Sequence, residues 1–148
     1  MATIVRKGEN YIWLILILFF TGLLFLDAPY GGAFSWPDSP RHALNGAFVL
    51  DLLREMPIHD IMGFAEKYYT QYPALTLGLY PPLFSLILVP FYAIGGASHE
   101  MAMLAMFVCY WVFAVGCFRF AQFFLPKAAA FGVAMILLGA PEIAFWGR

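Results

Sequence analysis

Four side chains have types and spacing suited to chemistry on a charged substrate: Asp38, Arg41, His42 and Tyr80. Asp38 follows Trp36-Pro37 and stands directly before an expected helix. Free N–H groups at a helix amino terminus favour anions, so a carboxylate there stays ionised and can accept a proton or ligate a metal. The plain alternative is that Asp38 only helps to cap the helix. Arg41 presents a planar fork that matches phosphate oxygens, or is simply an exposed arginine. His42 and His59 are not at a metal-ligand spacing, and no His-x-x-His or carboxylate–histidine pair accompanies them, so both also read as interfacial side chains. Tyr80 precedes Pro81-Pro82, which fix the chain's approach to an apolar run and place the phenol at its outer edge. A tyrosine of the aromatic belt would stand in the same place.

The remaining candidates are weaker. Cys109 and Cys117 are about 12 Å apart along one expected helix, beyond the roughly 7 Å that a disulfide tolerates, and read as packing residues. Glu142 is the one acid inside an apolar run, which marks it either as functional or as interfacial near the chain end. Gly-rich phosphate loops, catalytic triads and cysteine metal motifs are absent from the sequence, and no metal ligands are assigned.

The elements that must position these residues follow from composition. Hydrophobic residues make up 63% of the chain and charged residues only 11%, against about 25% charged in a soluble domain. So many aromatics and so few charges exclude disorder. A net charge of −1 gives no basis for a nucleic-acid partner, and two cysteines are too few for a disulfide scaffold. What remains is an all-α, polytopic membrane protein. Apolar runs over 11–26, 81–97, 101–118 and 128–146 approach or reach the roughly 17–25 residues of a membrane span.

Six of the nine acids and three of the eight bases lie instead between Asp27 and Lys67. Arg6 and Lys7 place the amino terminus in the cytoplasm, which puts the segment 27–80 outside. The first run lacks a small-residue cleavage site and reads as an uncleaved anchor. Simple alternation through four spans then puts Ser98-His99-Glu100 inside and the 119–127 turn outside, against the charge rule. Pro90, Gly95 and Gly96 make the second run a candidate broken or re-entrant helix, which would reverse everything after it.

The long external segment carries its own helix signals. Ser39 as cap with Pro40 behind it predicts a helix over 39–55, stopped by Pro57 and apolar nearly all round. A second, amphipathic helix is expected over 58–72, with Ile58, Ile61, Met62, Ala65, Tyr69 and Tyr72 on its apolar face. Its three tyrosines suit a membrane–water interface.

In order and spacing these features resemble the amino-terminal part of polyprenyl-phosphate-dependent glycosyltransferases. That membrane class includes the dolichyl-phosphate-mannose–protein mannosyltransferases and the aminoarabinose transferases. The resemblance rests on an amino-terminal span, the acid-bearing Trp36-Pro37-Asp38-Ser39-Pro40-Arg41-His42-Ala43, two juxtamembrane helices, Tyr80-Pro81-Pro82-Leu83-Phe84, and Ala140-Pro141-Glu142-Ile143-Ala144-Phe145-Trp146-Gly147-Arg148. It implies Asp38 as catalytic base, a sugar donor linked to a polyprenyl phosphate, an acceptor hydroxyl, and Arg41, His42 and Tyr80 as substrate-binding residues. It also suggests a divalent metal ion as cofactor. Two departures stand out: Ser39 occupies the place of a second acid, and Leu79-Tyr80 the place of a Glu-Lys pair. The expected location is a bacterial or archaeal plasma membrane. On this reading the chain is the first part of a longer transferase and is inactive alone. The rival is a non-enzymatic membrane scaffold, an assembly subunit or part of a transporter.

Overall fold

Helices alone make up the regular structure of the described residues. The computed structural model covers 2–26, 28, 38–76 and 78–146, with side chains described at 11–26, 28, 38–76 and 78–143. In chain order the helices are α1 (Ala2–Leu24), α2 (Ser39–Glu55), α3 (Ile61–Gln71), α4 (Leu83–Gly95), α5 (His99–Ala121), α6 (Lys127–Leu138) and α7 (Pro141–Trp146). They divide into two units, and α5 contributes to both.

The first unit joins α1, α6 and α7 to the part of α5 from Met106 onward. Along α1, Trp13, Ile17, Thr21 and Phe25 recur every fourth residue and turn one face inward. Thr21 satisfies its buried hydroxyl locally, donating to the Ile17 carbonyl at 2.8 Å. Alanines 114, 121, 130 and 134 line the rest of this core, where small side chains let helices approach closely. Ring contacts set the direction of pairing. Trp13 lies 6.3 Å from Phe118, while Phe25 lies 5.6 Å from both Phe107 and Tyr110, so α1 and α5 run antiparallel. Phe131 of α6 packs on Trp13 and Phe20. The opposite face of α1 leaves Ile12, Ile15 and Phe19 about 60% exposed.

Among the described residues one helix, α5, is long and apolar enough to cross a membrane, and only 22% of its most apolar stretch is buried. Shorter apolar helices cover Tyr11–Leu24, Leu83–Gly95 and Lys127–Leu138. The run expected over 128–146 is two helices, because Pro141 has no N–H to continue the ladder and Gly139 ends α6. Residues 81–97 yield only the thirteen residues of α4, with Pro90 in its interior and Gly96 at its end.

In the second unit α2 packs along α4, burying Leu50, Leu88 and Tyr92 together with Ala102 and Ala105. The approach is close at Gly46. A Cβ there would stand 2.7 Å from Leu88 Cδ1 and 2.9 Å from Leu88 Cβ. The helix expected over 39–55 is Ser39–Glu55, but its cap is Asp38 rather than Ser39. Asp38 already has helical dihedrals, and its carbonyl accepts the His42 N–H at 3.0 Å, so the ladder begins one residue earlier. Pro57 ends α2 after Met56, which takes a left-handed conformation (φ 46°).

The second expected helix is shorter, Ile61–Gln71, because Ile58, His59 and Asp60 form a turn. Asp60 caps it, accepting from the Gly63 N–H at 2.9 Å. Its packed face also differs. Phe64 and Tyr68 stack on Phe48 of α2, while Ile58 and Met62 are over 70% exposed. Rings four residues apart share one face of the helix and meet the Phe48 ring across the interface.

Overpacking at the helix crossing should be costly. Gly46→Val is expected to lose about 1–3 kcal/mol and lower Tm in thermal unfolding of the detergent-solubilised protein. Gly132→Ala, which meets nothing within 4 Å, should be neutral or gain up to about 1 kcal/mol from helix propensity.

Candidate functional site

The amino-terminal end of α2 carries three of the four sequence candidates, and the segment after α3 brings the fourth to them. Asp38, Arg41 and His42 lie within one turn. Trp36 and Pro37 lie outside the described residues. Although Asp38 is the cap residue, its side chain makes no capping hydrogen bond. The carboxylate instead faces Arg41, whose Nη1 stands 3.4 Å from Oδ1. Both side chains are well exposed, at 57% and 41%. An exposed pair of this kind contributes about 0–1 kcal/mol, so either partner can be drawn to a ligand at little cost.

His42 connects this pair to Tyr80. Its ring centroid is 4.4 Å from that of Tyr80 and 6.0 Å from Phe84, the latter edge-on. Its Nδ1 is buried with no hydrogen-bond partner among the described residues. The result is an aromatic wall with one unused polar atom, beside an exposed carboxylate and guanidinium. His59, by contrast, sits in the turn before α3 and is exposed. Glu142 opens α7 and is exposed as well.

What holds Tyr80 against His42 is a residue that sequence reasoning did not single out. Asn45 is 2% exposed, and its amide clasps Thr76 twice. Asn45 Oδ1 accepts the Thr76 N–H at 3.0 Å, and Nδ2 donates to Thr76 Oγ1 at 3.4 Å. Leu75 is buried beside it, and the Leu79 N–H returns to the Thr76 carbonyl, so the segment up to Tyr80 is folded back on α2. The available signal was an amide flanked by apolar residues, Ala43, Leu44, Ala47 and Phe48, where burial demands a partner.

A second polar contact joins α2 to α3. The Tyr68 hydroxyl donates to Asp51 Oδ2 at 3.1 Å. Burial, together with the hydrogen bond and charge of Asp51, pushes this phenol well above its ordinary range. It acts as a neutral donor, not as an acid at physiological pH.

The described residues do not by themselves complete the shell of the divalent cation that the resemblance suggests. Among the described residues no three His, Cys, Asp or Glu side chains are grouped to hold a metal ion. Asp38 supplies a single carboxylate that already faces a guanidinium. Hard cations of this class take six or more oxygen ligands.

Compared with family models, with curated proteins and with solved structures, the chain matches none.

Removing the clasp should release Tyr80. Asn45→Ala leaves the Thr76 N–H unpaired and is expected to lose about 1–3 kcal/mol, with faster amide exchange across 75–80. Asn45→Asp, which keeps the acceptor oxygen, should lose less. The raised Tyr68 phenol has its own signature. The folded state holds that proton more tightly than the unfolded chain, so stability should fall as pH rises beyond the ordinary phenol range. In alkaline unfolding titrations Tyr68→Phe should flatten that fall.

Proposed function

We propose that the protein is an integral membrane protein with more than one crossing that takes part in sugar transfer from a polyprenyl-phosphate donor to an acceptor hydroxyl outside the membrane. The observation that carries this reading is the meeting of Asp38, Arg41, His42 and Tyr80, drawn from two separate segments, at one end of α2. A carboxylate free of capping duty, a guanidinium and an aromatic wall are the groups such a transfer needs.

In the proposed reaction the acceptor oxygen attacks the anomeric carbon as the bond from that carbon to the phosphate oxygen breaks. Asp38 takes the proton of the acceptor hydroxyl. The polyprenyl phosphate leaves with the bonding electron pair, and Arg41 offsets its charge through two parallel N–H···O contacts. A single displacement inverts the anomeric carbon. Tyr80 and His42 flank the sugar as an aromatic wall. The second reading, a non-enzymatic scaffold, draws support from the Asp38–Arg41 contact, in which each side chain is already partnered.

Two measurements separate these readings. Native mass spectrometry of the protein in nanodiscs titrated with undecaprenyl phosphate should show binding weakened about tenfold by Arg41→Gln and unaltered by Asp38→Asn. In membranes containing the protein, Asp38→Asn should lower sugar transfer from the polyprenyl-phosphate donor by about 10²–10⁴-fold. Normal transfer by Asp38→Asn would remove the base from the scheme. Equal binding by Arg41→Gln would leave the scaffold.

A further inference from the structure

The end of α5 and the turn that leads to α6 expose three aromatic side chains. Phe120, Phe123 and Phe124 are 66%, 82% and 74% exposed, and they stand between Arg119 and Lys127. Those two bases are the only charged residues from 101 to 141. Three bare phenylalanines flanked by cations alone would be a poor surface in water. They suit a bilayer boundary, where rings enter the headgroup region and cations meet lipid phosphates.

Which boundary follows from the helix pairing. Because α1 and α5 run antiparallel, the end of α5 that bears Arg119 lies beside the amino-terminal part of α1. The contacts Trp13–Phe118 and Phe25–Phe107 extend over about 18 Å of both helices, enough to exclude an incidental crossing. Arg6, Lys7 and Glu9 stand at that same end of α1 in the sequence.

Antiparallel crossing has a consequence for parity. Between two helices that cross in opposite senses, the chain crosses an even number of times. Among the described residues only α4 between them is apolar enough to be considered, since α2 carries Arg41, His42, Asp51, Arg54 and Glu55, and α3 carries Glu66 and Lys67. At thirteen residues α4 is about 20 Å long, short of the roughly 30 Å hydrocarbon core. The even number is zero.

We infer that the α5–α6 turn docks on the anionic lipid surface of the leaflet that faces the amino terminus, and that α4 does not cross the membrane. This rests on the membrane reading above and is independent of sugar transfer. It also dissolves the conflict with the charge rule, since Arg6, Lys7, Arg119 and Lys127 then share one side.

The test uses the full chain. Ala97→Cys and Gln122→Cys are introduced singly, with Cys109→Ser and Cys117→Ser or in the wild-type background, whose two thiols lie in the apolar run of α5. A membrane-impermeant maleimide should label Ala97→Cys in intact cells and Gln122→Cys only after permeabilisation. Four alternating spans require the reverse, and that pattern, or equal labelling of both, overturns the inference. Nanodiscs of equal phosphatidylglycerol and phosphatidylcholine read the lipid contact. Arg119→Gln with Lys127→Gln should lower retained phosphatidylglycerol at least about fivefold in native mass spectrometry. Undiminished retention overturns the anionic docking. Release of the protein by alkaline carbonate would sink the membrane reading and this inference with it. Resistant protein with reversed labelling sinks the inference alone.

Discussion

A buried amide cannot go unpaired, and Asn45 is the point at which that rule organises the second unit. Its two contacts with Thr76 tie the segment after α3 to the middle of α2. Because His42 lies three residues earlier, on the same side of the helix, the clasp also sets where Tyr80 can stack. Gly46 follows directly and allows α4 to come within van der Waals reach of α2. One dipeptide thus governs both the loop that completes the candidate site and the helix that supports it.

Legibility in the sequence followed the range of the signal. The limits of α2 could be read because Ser39-Pro40 and Pro57 act through local backbone sterics. Whether Asp38 or Ser39 is the cap was left open, since one residue of shift depends on the dihedrals Asp38 adopts beside Arg41 and His42. The face that α3 packs on α2 was not legible for a similar reason. Helical spacing identifies a broad apolar arc, and which half of it packs depends on Phe48 across the interface. Run length also masked Pro141, a local signal that divides the last apolar stretch. Of the site, the four candidates were legible by residue type. Their assembly was not, because the Asn45–Thr76 contact joins positions with no periodic relation.

The two units solve the same burial problem with different materials. The first uses alanines and a repeating stripe on α1, and leaves the other face of that helix apolar and exposed. A helix apolar on all sides is at home only where its surroundings are apolar as well. The second unit uses aromatic stacking across α2 and α3, with Asp51 and Tyr68 as the polar pin. Its charged residues stay at the surface, which is where the Asp38–Arg41 pair is found.

The discontinuity of the first unit bears on the order of events during synthesis. Trp13 and Ile17 are made well before their partners Ala114, Phe118 and Phe131. The α2–α4 core closes from residues that emerge close together, so it can form while α1 still waits. Throughout that interval the inward stripe of α1 lacks its helical partners. A nascent chain halted just after Ala105 would display a finished second unit and an orphaned first helix, the state in which quality control would meet it.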